Sequence, residues 1–127
     1  MQPTNLRETE PCRRVSQLLS RIGDKWSVLV VMLLGEQPRR FNELRREIGG
    51  VSQKMLSSTL RNLERDGFVS RTVHPTVPPR VDYALTDLGR ELLEPVSALG
   101  QWAMANTERI DAARDRFDSA AEEASQA

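Results

Sequence analysis

Five polar side chains at helical spacing carry the chemistry that this sequence suggests most directly. They are Lys54, Ser57, Ser58, Arg61 and Arg65. A helix advances about 100° per residue, so all five fall on one face, and the leucines of the same segment fall on the opposite face. Arg and Lys bind phosphate or guanine, and Ser can exchange hydrogen bonds with base edges. The outward face therefore favours contact with duplex DNA, and the alternative is an ordinary solvated helix face.

The helix that must present these side chains is predicted over residues 53–66. Ser52 is a suitable N-cap, and Gly67 follows as a terminator. The residues predicted to face inward are Leu56, Leu60 and Leu63. Ser52 and Gln53 lie at the positive end of the helix dipole, where backbone amides favour a phosphate oxygen.

A shorter helix is predicted before this one, over residues 43–48, with Asn42 as its cap and Gly49-Gly50 as the turn between the two helices. Arg39 and Arg40 precede it and are predicted to form a short strand with Phe41. Arg39, Arg40 and Asn42 could grip the DNA backbone, and a plain surface turn is an equal alternative.

A hairpin follows, with strands predicted over residues 68–74 and 80–85 and a stiff, proline-rich PTVPP linker between them. Arg71 and Arg80 flank its tip, where they could contact phosphate or the minor groove; alternatively they only keep an edge strand soluble. His74 is expected to be a hydrogen-bonded hairpin residue. The order helix, turn, helix, hairpin is typical of a winged helix-turn-helix.

The remaining segments predict more helix. One helix is expected over residues 13–21 and another over 25–34, the second between an Asp24 cap and a Gly35 stop and forming the buried centre. After the hairpin, a helix over residues 87–106 should be kinked or split at Pro95, and a last helix should start at Thr107. Residues 1–11 are expected to be flexible, 12–118 to form the domain and 119–127 to fray.

Charge is distributed unevenly along a chain of 127 residues whose net charge is zero. Residues 39–86 hold nine cations against five acids, whereas residues from 87 onward hold four cations against nine acids. A net charge of zero argues against attraction of the whole surface to nucleic acid. The asymmetry instead indicates one face directed toward phosphate and another directed away from it.

Composition excludes several other classes of protein. The single cysteine and single histidine cannot build a cysteine- or histidine-based metal cluster, and we predict no metal and no cofactor. The longest apolar run, residues 28–34, is far shorter than the ~20 residues of a membrane span. With no signal peptide, a cytoplasmic protein is expected. No phosphate-binding loop or nucleophile–histidine pair suggests an enzyme.

Cys12 is the one residue that suggests redox chemistry. It is predicted to lie just before a helix and is followed by Arg13 and Arg14. Helix N-termini and neighbouring cations favour the thiolate form of cysteine, which reacts with oxidants and electrophiles. The alternative is an inert, partly buried thiol.

The chain resembles the HxlR family of bacterial winged helix-turn-helix regulators. The resemblance covers roughly residues 12–105 and rests on the following residues and segments: Cys12, IGDKW at 22–26, RFNEL at 40–44, IGGVSQKML at 48–56, residues 60–64, Asp66-Gly67, VPPRVDY at 77–83, Leu85-Thr86, Gly89 and residues 99–102. It implies a homodimer on a pseudo-palindromic operator, joined through the terminal helices. The expected interface residues are Val15, Leu18, Leu19, Leu99, Trp102, Ile110 and Phe117. Several members of the family sense oxidants or electrophiles through a cysteine at the place of Cys12.

The predicted protein is therefore a sequence-specific, DNA-binding transcriptional regulator, a repressor that responds to an oxidant, an electrophile or another small ligand. One alternative is a winged-helix protein-interaction module, which should show apolar residues where Lys54, Ser58 and Arg61 stand. Another is a thiol-based redox enzyme, which would need a second cysteine or a nearby histidine.

Overall fold

The computed structural model describes residues 10–126. The elements along the chain are α1 (Glu10–Ile22), α2 (Lys25–Glu36), β1 (Arg39–Arg40), α3 (Phe41–Ile48), α4 (Gln53–Arg65), β2 (Val69–His74), β3 (Arg80–Leu85) and α5 (Asp87–Gln126). The strands form an antiparallel sheet in the order β1-β3-β2. The predicted fold class, mainly helical with a hairpin wing, is confirmed.

The chain divides into two compact units at Val96. The first unit, which ends at Val96, holds the hydrophobic core. Its fully buried side chains are Val30, Val31, Leu34, Leu44, Leu56, Leu60 and Leu63. The second unit starts at Ser97 and continues α5, and none of its described residues is buried.

Helix α2 forms the buried centre, as its composition predicts. The Asp24 carboxylate caps the helix by accepting hydrogen bonds from the backbone N–H groups of Trp26 (3.2 Å) and Ser27 (3.3 Å). Gly35, however, is not a stop signal. It lies inside the helix, where a Cβ atom would stand 2.6 Å from Cδ2 of Leu93, so close packing explains this glycine. The helix ends at Glu36, since Gln37 must be extended before Pro38.

The helix-turn-helix pair is α3 and α4. Helix α3 begins at Phe41, earlier than predicted, because the Glu43 carboxylate accepts a hydrogen bond from the backbone N–H of Arg40 (3.1 Å), and Asn42 is therefore not the cap. The turn at Gly49 and Gly50 has φ values of 66° and 68°, a region that L side chains rarely adopt.

Helix α5 is one continuous element of 40 residues, whereas the sequence predicted a break. Pro95 lies inside it on the exposed side, where water can satisfy the carbonyl that proline leaves unpaired. Thr107 does not start a new helix, because its hydroxyl donates to the carbonyl of Ala103 one turn earlier (2.8 Å). The helix also continues to Gln126, through most of the expected frayed tail, where alanine and glutamate favour helix.

The structure tests only part of the prediction that residues 1–11 are flexible. Residues 1–9 of the segment expected to be flexible lie outside the described residues. Glu10 and Pro11 belong to α1, whose first turn tolerates a proline because its backbone N–H groups have no partner in the helix.

Candidate DNA-binding surface

Helix α4 turns its polar face to solvent, as predicted. Its buried face consists of three leucines and one threonine, Leu56, Thr59, Leu60 and Leu63. The side chains of α4 that the sequence proposes for DNA contact are all exposed, namely Lys54, Ser57, Ser58, Arg61 and Arg65. A protein-interaction module would need an apolar surface at these positions, and the observed surface is cationic and hydroxylated.

Residues at the start of α4 have different roles. The Ser52 hydroxyl accepts a hydrogen bond from the backbone N–H of Met55 (3.1 Å), so it acts as the predicted N-cap. Ser52 and Gln53 remain exposed at the positive end of the helix. Met55 is also half-exposed beside the cationic face. We did not predict a role for Met55 from the sequence, although an apolar side chain there could meet a thymine methyl group.

Arg39 does not belong to the predicted DNA-binding surface. Its side chain is only 7% exposed, and it forms ion pairs with Glu36 (2.6 Å) and with Glu47. Successive residues of β1 point to opposite sides, so Arg39 faces the body of the protein and Arg40 faces solvent. Arg39 therefore joins α2, β1 and α3, and a role in DNA contact is contradicted.

Asp82, on strand β3 of the wing, interacts with three basic side chains. His74 Nε2 lies 2.8 Å from Asp82 Oδ2, Arg80 donates to the same oxygen at 3.2 Å, and Arg40 Nε lies 3.9 Å from Oδ1. Desolvation acts to raise the pKa of Asp82, but the hydrogen bond from His74 and the positive charge of Arg80 outweigh it and lower the pKa. His74 is thus a hydrogen-bonded hairpin residue, as predicted.

A cationic groove of about 1550 Å³ lies between α3 and the wing. Arg40, Arg45, Arg46 and Arg80 contribute the positive charge of its lining, and Asn42 lies among them. Arg45 and Arg46 are exposed, although no DNA contact was predicted for them from the sequence. Because these two arginines lie next to the turn of the helix pair, they could have been predicted as DNA contacts. Arg71 is exposed on β2 and does not line this groove.

Apolar side chains on two other helices remain exposed. On α1 these are Val15, Leu18 and Leu19, and on the second part of α5 they are Leu99, Trp102 and Phe117. Ile110 is half-buried. Met104, which was not among the predicted interface residues, is also exposed. Exposed apolar residues at helical spacing are the usual sign of a protein–protein contact.

Cys12 lies within the first turn of α1, slightly later in the helix than expected, and is half-buried. Of its two basic neighbours, Arg13 forms an ion pair with Glu10 at 3.7 Å. Among residues 10–126, no three His, Cys, Asp or Glu side chains are grouped so that they could hold a metal ion. No helix in that range is long and apolar enough to cross a membrane.

Comparison with known proteins identifies the family. A family model described as HxlR-like helix-turn-helix matches residues 21–111. The chain belongs to this family. The match covers α2 to α4, the wing and much of α5, and therefore the whole cationic surface described above.

Individual relatives of this HxlR-like protein support the same family assignment. The HTH-type transcriptional regulator YtfH of Escherichia coli K12, itself uncharacterized, is 46% identical over 99 residues, or 78% of this chain and 79% of YtfH. The structure of a proposed transcriptional regulator, ytfH of Salmonella typhimurium, is 40% identical and superposes with a TM-score of 0.76 over 80% of this chain and 90% of that one. The redox regulator HypR in its oxidized form is 40% identical, with a TM-score of 0.69 over 73% and 96%. The chain is thus a helix-turn-helix transcriptional regulator.

Proposed function

We propose that this regulator binds an operator as a homodimer, with α4 of each protomer in the major groove and the wing beside it. The observation that carries the proposal is the exposed face of α4, where three cations and two serines stand opposite a fully buried leucine face. Two recognition helices related by a twofold axis would enter successive major grooves ~34–36 Å apart.

The groove between α3 and the wing suits the sugar–phosphate backbone next to that major groove. It is open, and its charge comes from arginines on both of its sides, Arg45 and Arg46 on α3 and Arg80 on the wing. Phosphate contacts position a protein on the duplex, and contacts with base edges specify the sequence. We therefore assign positioning to these arginines and sequence selection to α4.

Two variants test this division. Lys54→Ala and Arg61→Ala should weaken operator binding by roughly 1–3 kcal/mol each, about 5- to 150-fold, with an unchanged fold. If a side chain binds phosphate, the salt dependence of log K should also become shallower by about one unit. Arg114→Ala, an exposed arginine of the second part of α5, is the matched control. Titrations by gel shift across salt concentrations measure both quantities. Unchanged affinity and salt slope in both α4 variants would remove α4 from the interface.

The exposed apolar residues of α1 and of the second part of α5 support the proposed homodimer. Three such residues lie within five positions on α1 (Val15, Leu18 and Leu19). The resemblance to the HxlR family implies a dimer contact on these same terminal helices, which supports the proposal.

We further propose that the regulator represses transcription and that oxidation or alkylation of Cys12 releases it from DNA. The position of Cys12 in the first turn of α1 supports this, since that helix also carries the proposed dimer contact. Similarity to the redox regulator HypR supports it as well. With one cysteine in each chain, the product would be an interchain disulfide, a mixed disulfide with a small thiol or a thioether.

A reporter gene under the operator tests repression and sensing together. Expression should be low with the parent protein and should rise on treatment with diamide or a quinone. Cys12→Ser should repress equally and should no longer respond. If Cys12→Ser responds as the parent does, Cys12 is not the sensor; if expression falls when the regulator is removed, the protein is an activator.

A further inference from the structure

A polar cleft of about 620 Å³ opens between α1, α2 and α4, and its lining includes none of the side chains assigned to DNA. Its hydroxyl and amide lining comes from three helices: Ser16, Gln17 and Ser20 of α1, Ser27 of α2, and Thr59 and Asn62 of α4. Its volume lies in the range of about 300–1,000 Å³ that is usual for small-molecule sites.

The orientation of α1 creates this cleft. An amphipathic helix normally packs its apolar face against the protein and exposes its polar face. Helix α1 does this only at its last residue, Ile22, which packs against the core; it exposes Val15, Leu18 and Leu19 and places its serines beside the cleft. The space between α1 and its neighbours is therefore lined with hydrogen-bonding groups where a hydrophobic contact would be expected.

Two of the lining hydroxyls are buried and uncommitted. Ser27 is 4% exposed and Thr59 is 7% exposed. Within residues 10–126, neither hydroxyl takes part in a side-chain hydrogen bond. Neither hydroxyl oxygen is fully enclosed, so each faces the cleft and can exchange a hydrogen bond with water for one with a bound molecule.

The two charged residues of the cleft already have partners. Arg21 donates to Asp66 at 2.7 Å, and the Asp24 carboxylate caps α2. Their charges are therefore largely satisfied, and the cleft offers mainly hydroxyl and amide groups, each of which both donates and accepts hydrogen bonds. We propose that this cleft binds a neutral, hydroxyl-rich small molecule, a polyol or a monosaccharide.

Such a molecule would touch the recognition helix from behind. Thr59 lies on the buried side of α4, opposite Lys54 and Arg61. Asn62 lies at the edge of the exposed side, one turn from Ser58. If the molecule binds the DNA-bound and unbound arrangements of α1 and α4 with different affinity, DNA must change the affinity for the molecule by the same factor. This coupling, unlike the binding itself, rests on the proposed function.

Saturation-transfer NMR on the full chain without DNA tests the site. The probes are xylitol and D-glucose at low millimolar concentration, well below the level at which polyols act by exclusion from the surface, with salicylate as an aromatic control. We expect saturation transfer to at least one of the two polyhydroxyl probes and none to salicylate. Ser20→Leu, at an exposed position of α1, should weaken binding at least about tenfold. Ser119→Leu, the same change at an exposed position outside the cleft, should not.

Thr59→Val provides an independent check, because it keeps the shape of the side chain and removes only the uncommitted hydroxyl. Its fold should be unchanged and its affinity for the probe lower. The assignment is overturned if neither polyhydroxyl probe binds, or if one binds equally well to Ser20→Leu and Thr59→Val. Because no DNA is present, this result is separate from the titrations that test operator binding.

Discussion

Helices α1 and α4 have the same length, 13 residues, and both are amphipathic, yet they are oriented in opposite ways. Helix α4 buries its leucines and exposes its cations, while α1 buries nothing and exposes its valine and leucines. An amphipathic pattern thus defines two faces of a helix without deciding which face is directed inward. The neighbouring elements decide it, since α4 meets the apolar residues of α2 and of the sheet.

Because of this difference, the two helices suit different kinds of binding partner. Fixed cations on a rigid, well-packed helix suit a polyanion, because the leucine face holds the helix in place beneath them. An apolar stripe that the protomer leaves uncovered suits a second protein surface. The following predictions test this contrast, beginning with the largest effect.

Leu60→Ala should lower the free energy of unfolding by about 2–5 kcal/mol, because Leu60 is 1% exposed and its loss leaves a cavity. Leu19→Ala, at a side chain that is 62% exposed, is the matched change on α1. Its effect should depend on protein concentration, as expected for a residue that acts through a dimer, and that of Leu60→Ala should not. Urea denaturation at two protein concentrations measures both. A loss below about 1 kcal/mol for Leu60→Ala would contradict the inward orientation of α4.

Leu19→Glu should weaken self-association by roughly 2 kcal/mol, about 30-fold, because a carboxylate would lose its hydration inside an apolar contact. Sedimentation equilibrium would record the change. Glu108→Leu, an apolar replacement at an exposed position outside the predicted interface, controls for a general effect of surface hydrophobicity. Equal dimerisation of the parent and Leu19→Glu would exclude α1 from the contact.

Arg39 and Arg40 show a similar contrast between two adjacent residues, because Arg39 is directed inward and Arg40 is exposed to solvent. Arg39→Ala should lower the free energy of unfolding by about 1–2 kcal/mol, less than for a fully buried pair, since both of its carboxylate partners remain partly exposed to water. Arg40→Ala should change stability by less than about 0.5 kcal/mol and should weaken DNA binding. Thermal unfolding and gel-shift titration of the two variants would separate the roles, and the opposite assignment of effects would refute them.

The smallest expected effect is at the wing. Because the pKa of Asp82 is lowered in the folded protein, its contacts stabilise the fold at a pH above the unfolded value of about 3.9, and this contribution is lost as the pH falls through the folded pKa. The stability difference between the parent and Asp82→Asn should therefore shrink below about pH 4. Urea denaturation at several pH values would show it. A difference that grows on acidification would have the wrong sign for this account.

Local signals predicted well the elements that carry the proposed DNA-binding surface. Helix α4 has a serine cap and a glycine after its end, and its start was predicted to the residue. The strand β3 was also predicted with its observed bounds, since its alternating pattern lies between a proline-rich turn and a helix cap. For these elements, chemistry within a few residues is sufficient to define the structure.

The errors arose where distant residues decide. Gly35 looks like a helix stop in the sequence, but it lies inside α2, and the packing of Leu93 against it explains why this position has no side chain. Arg39 looks like one more surface cation, and only the positions of Glu36 and Glu47 show that it is internal. Pro95 predicts a break, but its exposed position lets α5 continue. In each case a tertiary contact, or exposure to water, outweighed the local preference.

Gly49 and Gly50, between α3 and α4, have a stereochemical consequence. A Cβ atom at either position would meet no atom within 4 Å, so space is not what requires glycine there. The requirement comes from the backbone conformation, since Gly49 has φ 66° and ψ 150°, and an L-alanine would cost about 1–3 kcal/mol at each position. The mirror-image residue, D-alanine, prefers a positive φ, so a chemically synthesised chain with D-alanine at 50 should keep the angle between the two helices and lose less entropy on folding.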